Sequence, residues 1–146
     1  MKKIHMTLEN LRSTQSFAQK LAALLPSGTV IALTGDLGSG KTTFSQAFGK
    51  GLGVNDDIGS PTFKLVSEYN GSDIRLYHID CYRLEHEKDF LNIGGENYLD
   101  PTDGITLIEW ADKIEKLLPM DCIRMNFGRL QNEPDKRDLI IEGLEF

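Results

Sequence analysis

One eight-residue string constrains this chain more than any other. Gly35-Asp36-Leu37-Gly38-Ser39-Gly40-Lys41-Thr42 fills every fixed position of the pattern G-x-x-x-x-G-K-[ST]. The apolar run Thr29-Val30-Ile31-Ala32-Leu33-Thr34 before it predicts a buried strand, and residues 41–52 after it predict a helix. Glycines in such a connection let the backbone curl until successive N–H groups face one centre. The helix start adds a partial positive charge at the same place. The guest this arrangement selects is an anionic phosphate, so Gly35, Asp36, Leu37, Gly38, Ser39, Gly40, Lys41, Thr42 and Thr43 are candidate nucleotide contacts. Lys41 is expected to reach the terminal phosphates as a mobile point charge. Thr42 is expected to offer its hydroxyl oxygen to a magnesium ion bridging them.

The remaining elements fit around this unit. Phe17, Leu21, Leu24 and Leu25 fall at helical spacing behind a capping-type Ser13, and Pro26-Ser27-Gly28 ends the pattern. Residues 63–69 and 74–81 predict strands, with Asn70-Gly71 between them as a hairpin signal. Residues 84–92 predict a helix, 105–108 a strand ending at Glu109-Trp110, and 111–118 a further helix. The tail predicts strands over 121–127 and 137–141 with a polar turn region over 131–136. No linker or internal repeat divides the 146 residues, so one domain is expected. The fold class is α/β: three layers of the P-loop NTPase type, a mixed parallel and antiparallel sheet flanked by helices.

Charge and cysteine content narrow the role. Sixteen basic against 22 acidic residues give a net charge of −6, which argues against a protein that holds nucleic acid by itself, because phosphate binding rests on clustered Lys and Arg. The two cysteines, Cys81 and Cys122, lack the spacing of a metal knuckle or redox motif. The longest apolar stretch is far short of the roughly 20 residues a bilayer span needs, and Met1-Lys2-Lys3-Ile4-His5-Met6 lacks the apolar core of a signal peptide. A soluble cytoplasmic protein with reduced thiols is expected.

A phosphate loop also requires a carboxylate near the magnesium, usually at a strand end. Asp80 and Glu109 both occupy such ends, and sequence does not choose between them as direct ligand; a strand-end acid can also be merely solvated. In Gly59-Ser60-Pro61-Thr62 the proline restrains the backbone and can aim the Thr62 hydroxyl at a third phosphate; a plain turn leading into a strand is the alternative. Trp110 adjoins Glu109, where an indole can stack on a base or sugar or simply pack in the core. His5, His78 and His86 show no metal spacing and are assigned no role. An Asn-Lys-x-Asp guanine-reading element is missing, its nearest approach being Ala111-Asp112-Lys113-Ile114, so ATP is favoured over GTP. Arg12, Arg75, Arg83, Arg124, Arg129 and Arg137 are scattered, so neither the Arg-rich lid of a small-molecule kinase nor an arginine finger is visible. Hydrolysis slow in isolation and faster with a partner is expected; a small-molecule kinase or a nucleotide-dependent binding switch are the alternatives.

Five blocks in this order carry a resemblance: Gly-Asp-Leu-Gly-Ser-Gly-Lys-Thr-Thr-Phe at 35–44, Ser-Pro-Thr-Phe at 60–63, Leu-Val-Ser-Glu-Tyr at 65–69, Tyr-His-Ile-Asp-Cys-Tyr-Arg-Leu at 77–84 and Leu-Ile-Glu-Trp at 107–110. Together they span about half the chain, and it resembles the TsaE family, formerly YjeE. That family consists of small bacterial ATPases supporting synthesis of threonylcarbamoyladenosine, the modified base beside the anticodon of tRNAs reading codons that begin with A. The resemblance implies that Lys41 and Thr42 bind ATP and magnesium. It implies that Asp80 and Glu109 supply acid groups at the metal and the attacking water, and that Thr62 and Trp110 occupy motif positions. It also implies work with a larger enzyme, TsaD, and its companion TsaB, with tRNA reached only through that complex. Two departures, Cys81 where an apolar residue is familiar and the extra glycine in Ile93-Gly94-Gly95, leave the phosphate chemistry untouched.

Overall fold

The computed structural model describes residues 3–36, 38–58 and 65–144. Its centre is strand β2 (Val30–Gly35), whose first four residues are buried because both faces are covered. Helix α1 (Leu11–Leu24) precedes it and α2 (Lys41–Gly51) follows it. The chain continues through β3 (Val66–Asn70), β4 (Arg75–Asp80), the short α3 (Glu87–Asn92) and β5 (Gly104–Glu109). It ends with β6 (Ile123–Leu130) and β7 (Glu133–Glu142), while β1 (Lys3–Leu8) opens it. The seven strands lie in the order β1-β7-β6-β2-β5-β4-β3. Parallel pairing joins β2 to β5, β2 to β6 and β4 to β5; the other three pairs are antiparallel. This is the mixed sheet with flanking helices that the sequence implied.

Two apolar faces follow from the period-2 alternation of the strands. Ile31, Leu33, Leu107, Met125 and Phe127 point one way and pack against α1 and α2 through Ala18, Leu21, Phe44 and Phe48. Ala32, Ile79 and Ile108 point the other way, onto Phe90, Ala111 and Ile114. Phe44, in the second turn of α2, touches Phe48 and Phe127 with ring centroids 5.8 and 5.7 Å apart, so the helix that begins at the glycine loop is pinned to the sheet directly below it.

The structure corrects several boundaries. Strand β1 was not anticipated, although Ile4, Met6 and Leu8 alternate with polar residues; it pairs along its length with β7. Asn10, not Ser13, caps α1: its side chain accepts the Ser13 backbone N–H at 2.8 Å. Helix α3 begins only at Glu87, because the Asp89 carboxylate accepts the His86 N–H and forms a capping box there. Residues 111–117 form a 3-10 helix (Ala111–Leu117), not an α-helix. Trp110 ahead of it is left-handed at φ 56°, and Ile114 inside it is non-helical. β3 starts at Val66, and the expected residues 63 and 64 lie outside the described residues. β6 begins at Ile123, not at residue 121, but runs on to Leu130, and β7 runs from Glu133 to Glu142, so the polar turn shrinks to residues 131–132.

Candidate functional site

The site lies at the carboxyl ends of β2, β4 and β5, the rim where open parallel sheets present their loops. α2 starts from Gly40, which is left-handed at φ 111° and gives the helix no side-chain cap, so the first-turn N–H groups stay available to an outside acceptor. Gly35 could not be replaced quietly. It sits at φ 135°, and a Cβ there would lie 2.4 Å from the Phe127 carbonyl oxygen and 2.9 Å from Ser39 Oγ. Ser39 Oγ is itself buried with no hydrogen-bond partner. A loop with free helix-start donors and an orphaned hydroxyl fits a polyanion that would satisfy both.

Lys41 is buried under this loop. Its ammonium donates to the carbonyls of Gly35 and, at 3.0 Å, Asp36, and lies 4.2 Å from the centre of the Trp110 ring. Burial lowers its pKa, and the nearby Glu109 charge is the largest influence raising it again. Trp110 in turn packs against Tyr82, ring centroids 5.0 Å apart. Its left-handed backbone, costly for a bulky residue, is what turns the indole from the end of β5 towards the loop.

Glu109 is 2% exposed, and three donors converge on it. Thr42 Oγ1 donates to Oε1 at 3.4 Å and His78 Nε2 reaches Oε2 at 2.5 Å, while Ser45 Oγ, 3.4 Å from Oε2, shares its one proton with the Lys41 carbonyl at 3.0 Å. Asp80 stands directly across from Glu109 in the parallel register. Its own hydrogen bond runs to the Tyr82 backbone N–H at 2.8 Å. Burial raises the Asp80 pKa above the usual carboxylate range; the Tyr82 bond opposes this and the Glu109 charge reinforces it. One hydroxyl and one carboxylate side by side suit a hard cation such as magnesium, which keeps water and phosphate oxygens in the rest of its shell. Among the described residues no cluster of three His, Cys, Asp or Glu side chains could cage a metal alone.

These groups border a cleft of about 170 Å³ lined by Asp36, Gly38, Ser39, Gly40, Lys41, Thr42, Thr43, Glu109, Trp110 and Arg137. The structure therefore gathers every candidate named from the sequence except four. Gly35 is not in the lining but accepts the Lys41 ammonium on its carbonyl just beneath it. Asp80 stands beside the cleft rather than in its lining, and Leu37 and Thr62 lie outside the described residues. Sequence reasoning missed His78, Ser45 and Arg137. Alternation along β4 puts His78 on the face of Asp80, two residues away, and helical spacing puts Ser45 one turn beyond Lys41, so both carried a signal. Arg137 carried none, because its position depends on how β7 pairs with β6.

Fold and site together define a phosphate-loop α/β protein. The model of the TsaE family, described as "Threonylcarbamoyl adenosine biosynthesis protein TsaE", matches residues 8–139. The chain belongs to the TsaE family. It is 37% identical over 139 residues to the tRNA threonylcarbamoyladenosine biosynthesis protein TsaE of Bacillus subtilis strain 168, covering 95% of this chain and 85% of that one. Its counterpart in Synechocystis is 44% identical over 114 residues, 75% of this chain and 71% of the relative. The crystal structure of Bacillus subtilis YdiB superposes with a TM-score of 0.72 at 33% identity, covering 96% of this chain and 84% of that one. Among the described residues no helix is long and apolar enough to cross a membrane.

Proposed function

We propose that this chain binds ATP with magnesium at the loop of residues 35–43 and hydrolyses it, in the service of threonylcarbamoyladenosine modification of tRNA in the cytoplasm, acting on a complex of TsaD and TsaB. The observation that carries the reading is the meeting of Thr42 and Glu109 at 3.4 Å beside a buried lysine of the glycine loop. The loop amides and Lys41 bind the phosphate chain, Lys41 exchanging the carbonyls of Gly35 and Asp36 for phosphate oxygens. Thr42 and Glu109 would hold the magnesium ion, which when bound neutralises charge developing on the phosphate oxygens. Asp80, made more basic by burial, accepts a proton from the attacking water as its oxygen bonds to the terminal phosphorus and the bond to the ADP oxygen breaks. Trp110 covers the lysine and limits water at the loop. The net charge of −6 supports a division of labour in which the partner complex holds the RNA.

The test is magnesium-dependent phosphate release by purified protein, alone and with TsaD and TsaB, beside a Lys41→Ala control. Slow release that rises with the partners and vanishes in the control is expected. Release no greater than that of the control in both settings refutes hydrolysis, and a phosphorylated small molecule in place of free phosphate identifies a kinase.

A further inference from the structure

The β6–β7 hairpin forms the wall of the cleft across β2 from Glu109 and Trp110, and two of its three arginines, Arg129 and Arg137, lie on the side of the glycine loop with no part in the chemistry above. Arg129 and Arg137 face each other in register across the hairpin. Like charges placed directly opposite on neighbouring strands repel, and among the described residues neither side chain forms an ion pair with a carboxylate. Arg137 satisfies one nitrogen, Nη1, on the Pro134 and Lys136 carbonyls at 2.6 and 2.8 Å, while its Nε is buried with no partner. Both residues lie against the glycine loop: the Arg137 stem is 3.7 Å from where a Cβ on Gly40 would be, and Arg129 Nη1 is 3.4 Å from the same position on Gly38. Arg137 lines the cleft together with Lys41 and Thr42, and also borders an adjoining cavity of about 110 Å³ that runs past Thr43 to Leu11 and Pro134.

We infer that Arg129 and Arg137 bind the phosphate chain of the nucleotide at its nucleoside end, the α- and β-phosphates, while the carboxylates of β4 and β5 attend the terminal phosphate. The inference rests on the nucleotide reading of the site. The strand order β7-β6-β2-β5-β4 supplies the direction, since it places the two guanidiniums on one flank of the loop and the two acids on the other. A phosphate between two guanidiniums turns their mutual repulsion into two charge-assisted contacts and gives the loop a second source of positive charge besides Lys41.

Calorimetric titration with ATP and with ADP, both without magnesium, tests this on wild type, Arg129→Gln, Arg137→Gln, Arg137→Lys and Arg124→Gln. Arg124→Gln removes the same charge from the opposite face of β6, where Arg124 pairs with Glu115. Loss of a hydrogen bond to a charged partner weakens binding by roughly tenfold or more, so Arg129→Gln and Arg137→Gln should each lose about that much for both nucleotides. Arg137→Lys should recover part of the loss, and Arg124→Gln should bind both nucleotides as wild type does. ADP affinity within twofold of wild type in both Arg129→Gln and Arg137→Gln overturns the inference, as does a loss confined to ATP or an equal loss in Arg124→Gln. Lys41→Ala separates the two levels: if it binds as wild type does, the nucleotide site itself is misplaced, whereas if it alone loses binding only the arginine assignment fails.

Discussion

The contact between His78 and Glu109 is the most demanding feature of the site, because both side chains are withdrawn from water, at 5% and 2% exposure, and among the described residues the Glu109 carboxylate is met by side chains alone. The imidazole is within hydrogen-bond distance of the carboxylate, while the hydroxyls of Thr42 and Ser45 stand off at 3.4 Å and Ser45 also donates to the Lys41 carbonyl, so His78 is the partner whose removal should tell most. A hydrogen bond to a charged acceptor in this setting contributes about 1.5–3 kcal/mol, and the void left by the ring adds about 1 kcal/mol. His78→Ala should therefore destabilise the protein by about 3 kcal/mol. The decisive quantity is the coupling: once Glu109→Ala has removed the acid, adding His78→Ala should cost about 2 kcal/mol less than it does in wild type. Urea denaturation of wild type, both single variants and the double variant gives all four corners of the cycle. A coupling below about 0.5 kcal/mol would refute the claim that His78 holds Glu109 in place, and would reduce the contact to a geometric coincidence of two core residues.

Two other changes bear on the same rim. Asp80 has a folded-state pKa above its unfolded value, so the folded chain binds its proton more tightly; stability from this group is full below the unfolded pKa and is lost as pH rises through the folded pKa. Asp80→Asn should accordingly raise the melting temperature at pH 7, with the gain shrinking towards pH 4, as thermal melts across that range will show. Gly35→Ala should cost at least about 2 kcal/mol and abolish nucleotide binding, since φ 135° and the Phe127 carbonyl oxygen 2.4 Å from the new methyl leave no room for it; a chemical melt together with a nucleotide titration checks both.

What the sequence made legible follows the range of the interactions involved. β2, the glycine loop and α2 are local: an apolar run, glycines at fixed spacing and a lysine-threonine pair determine one another within some twenty residues, and the structure has them where the pattern puts them. The pairing of Asp80 with Glu109 was half legible. Each acid closes an apolar strand, but their adjacency needs β4 beside β5, which no single segment encodes. β1 was missed because its alternation is weak and its stability comes from β7, more than a hundred residues away. The 3-10 helix after β5 resisted reading for a different reason, since residues 111–118 look helical and only the left-handed Trp110 and the kink at Ile114 tighten them.

Arginine shows the limit most sharply. Six scattered arginines read as the lack of a basic element, yet the antiparallel register of β6 and β7 sets Arg129 opposite Arg137 and lays both along a loop almost a hundred residues upstream. Charge that is dispersed along the chain is thus concentrated at one place by topology, and a net charge of −6 says nothing against it. The same reasoning explains how an acidic protein can offer a strongly attractive site to a polyanion: helix-start amides, Lys41 and two hairpin arginines face the loop, while Glu109 and Asp80 are withdrawn to the far flank and kept there by His78, Ser45 and the Tyr82 amide. Under the inferred orientation, separation of the two signs across β2 would give a bound phosphate chain a direction, and a chain bound with direction would present one phosphorus, not any of three, to the acids that would act on it.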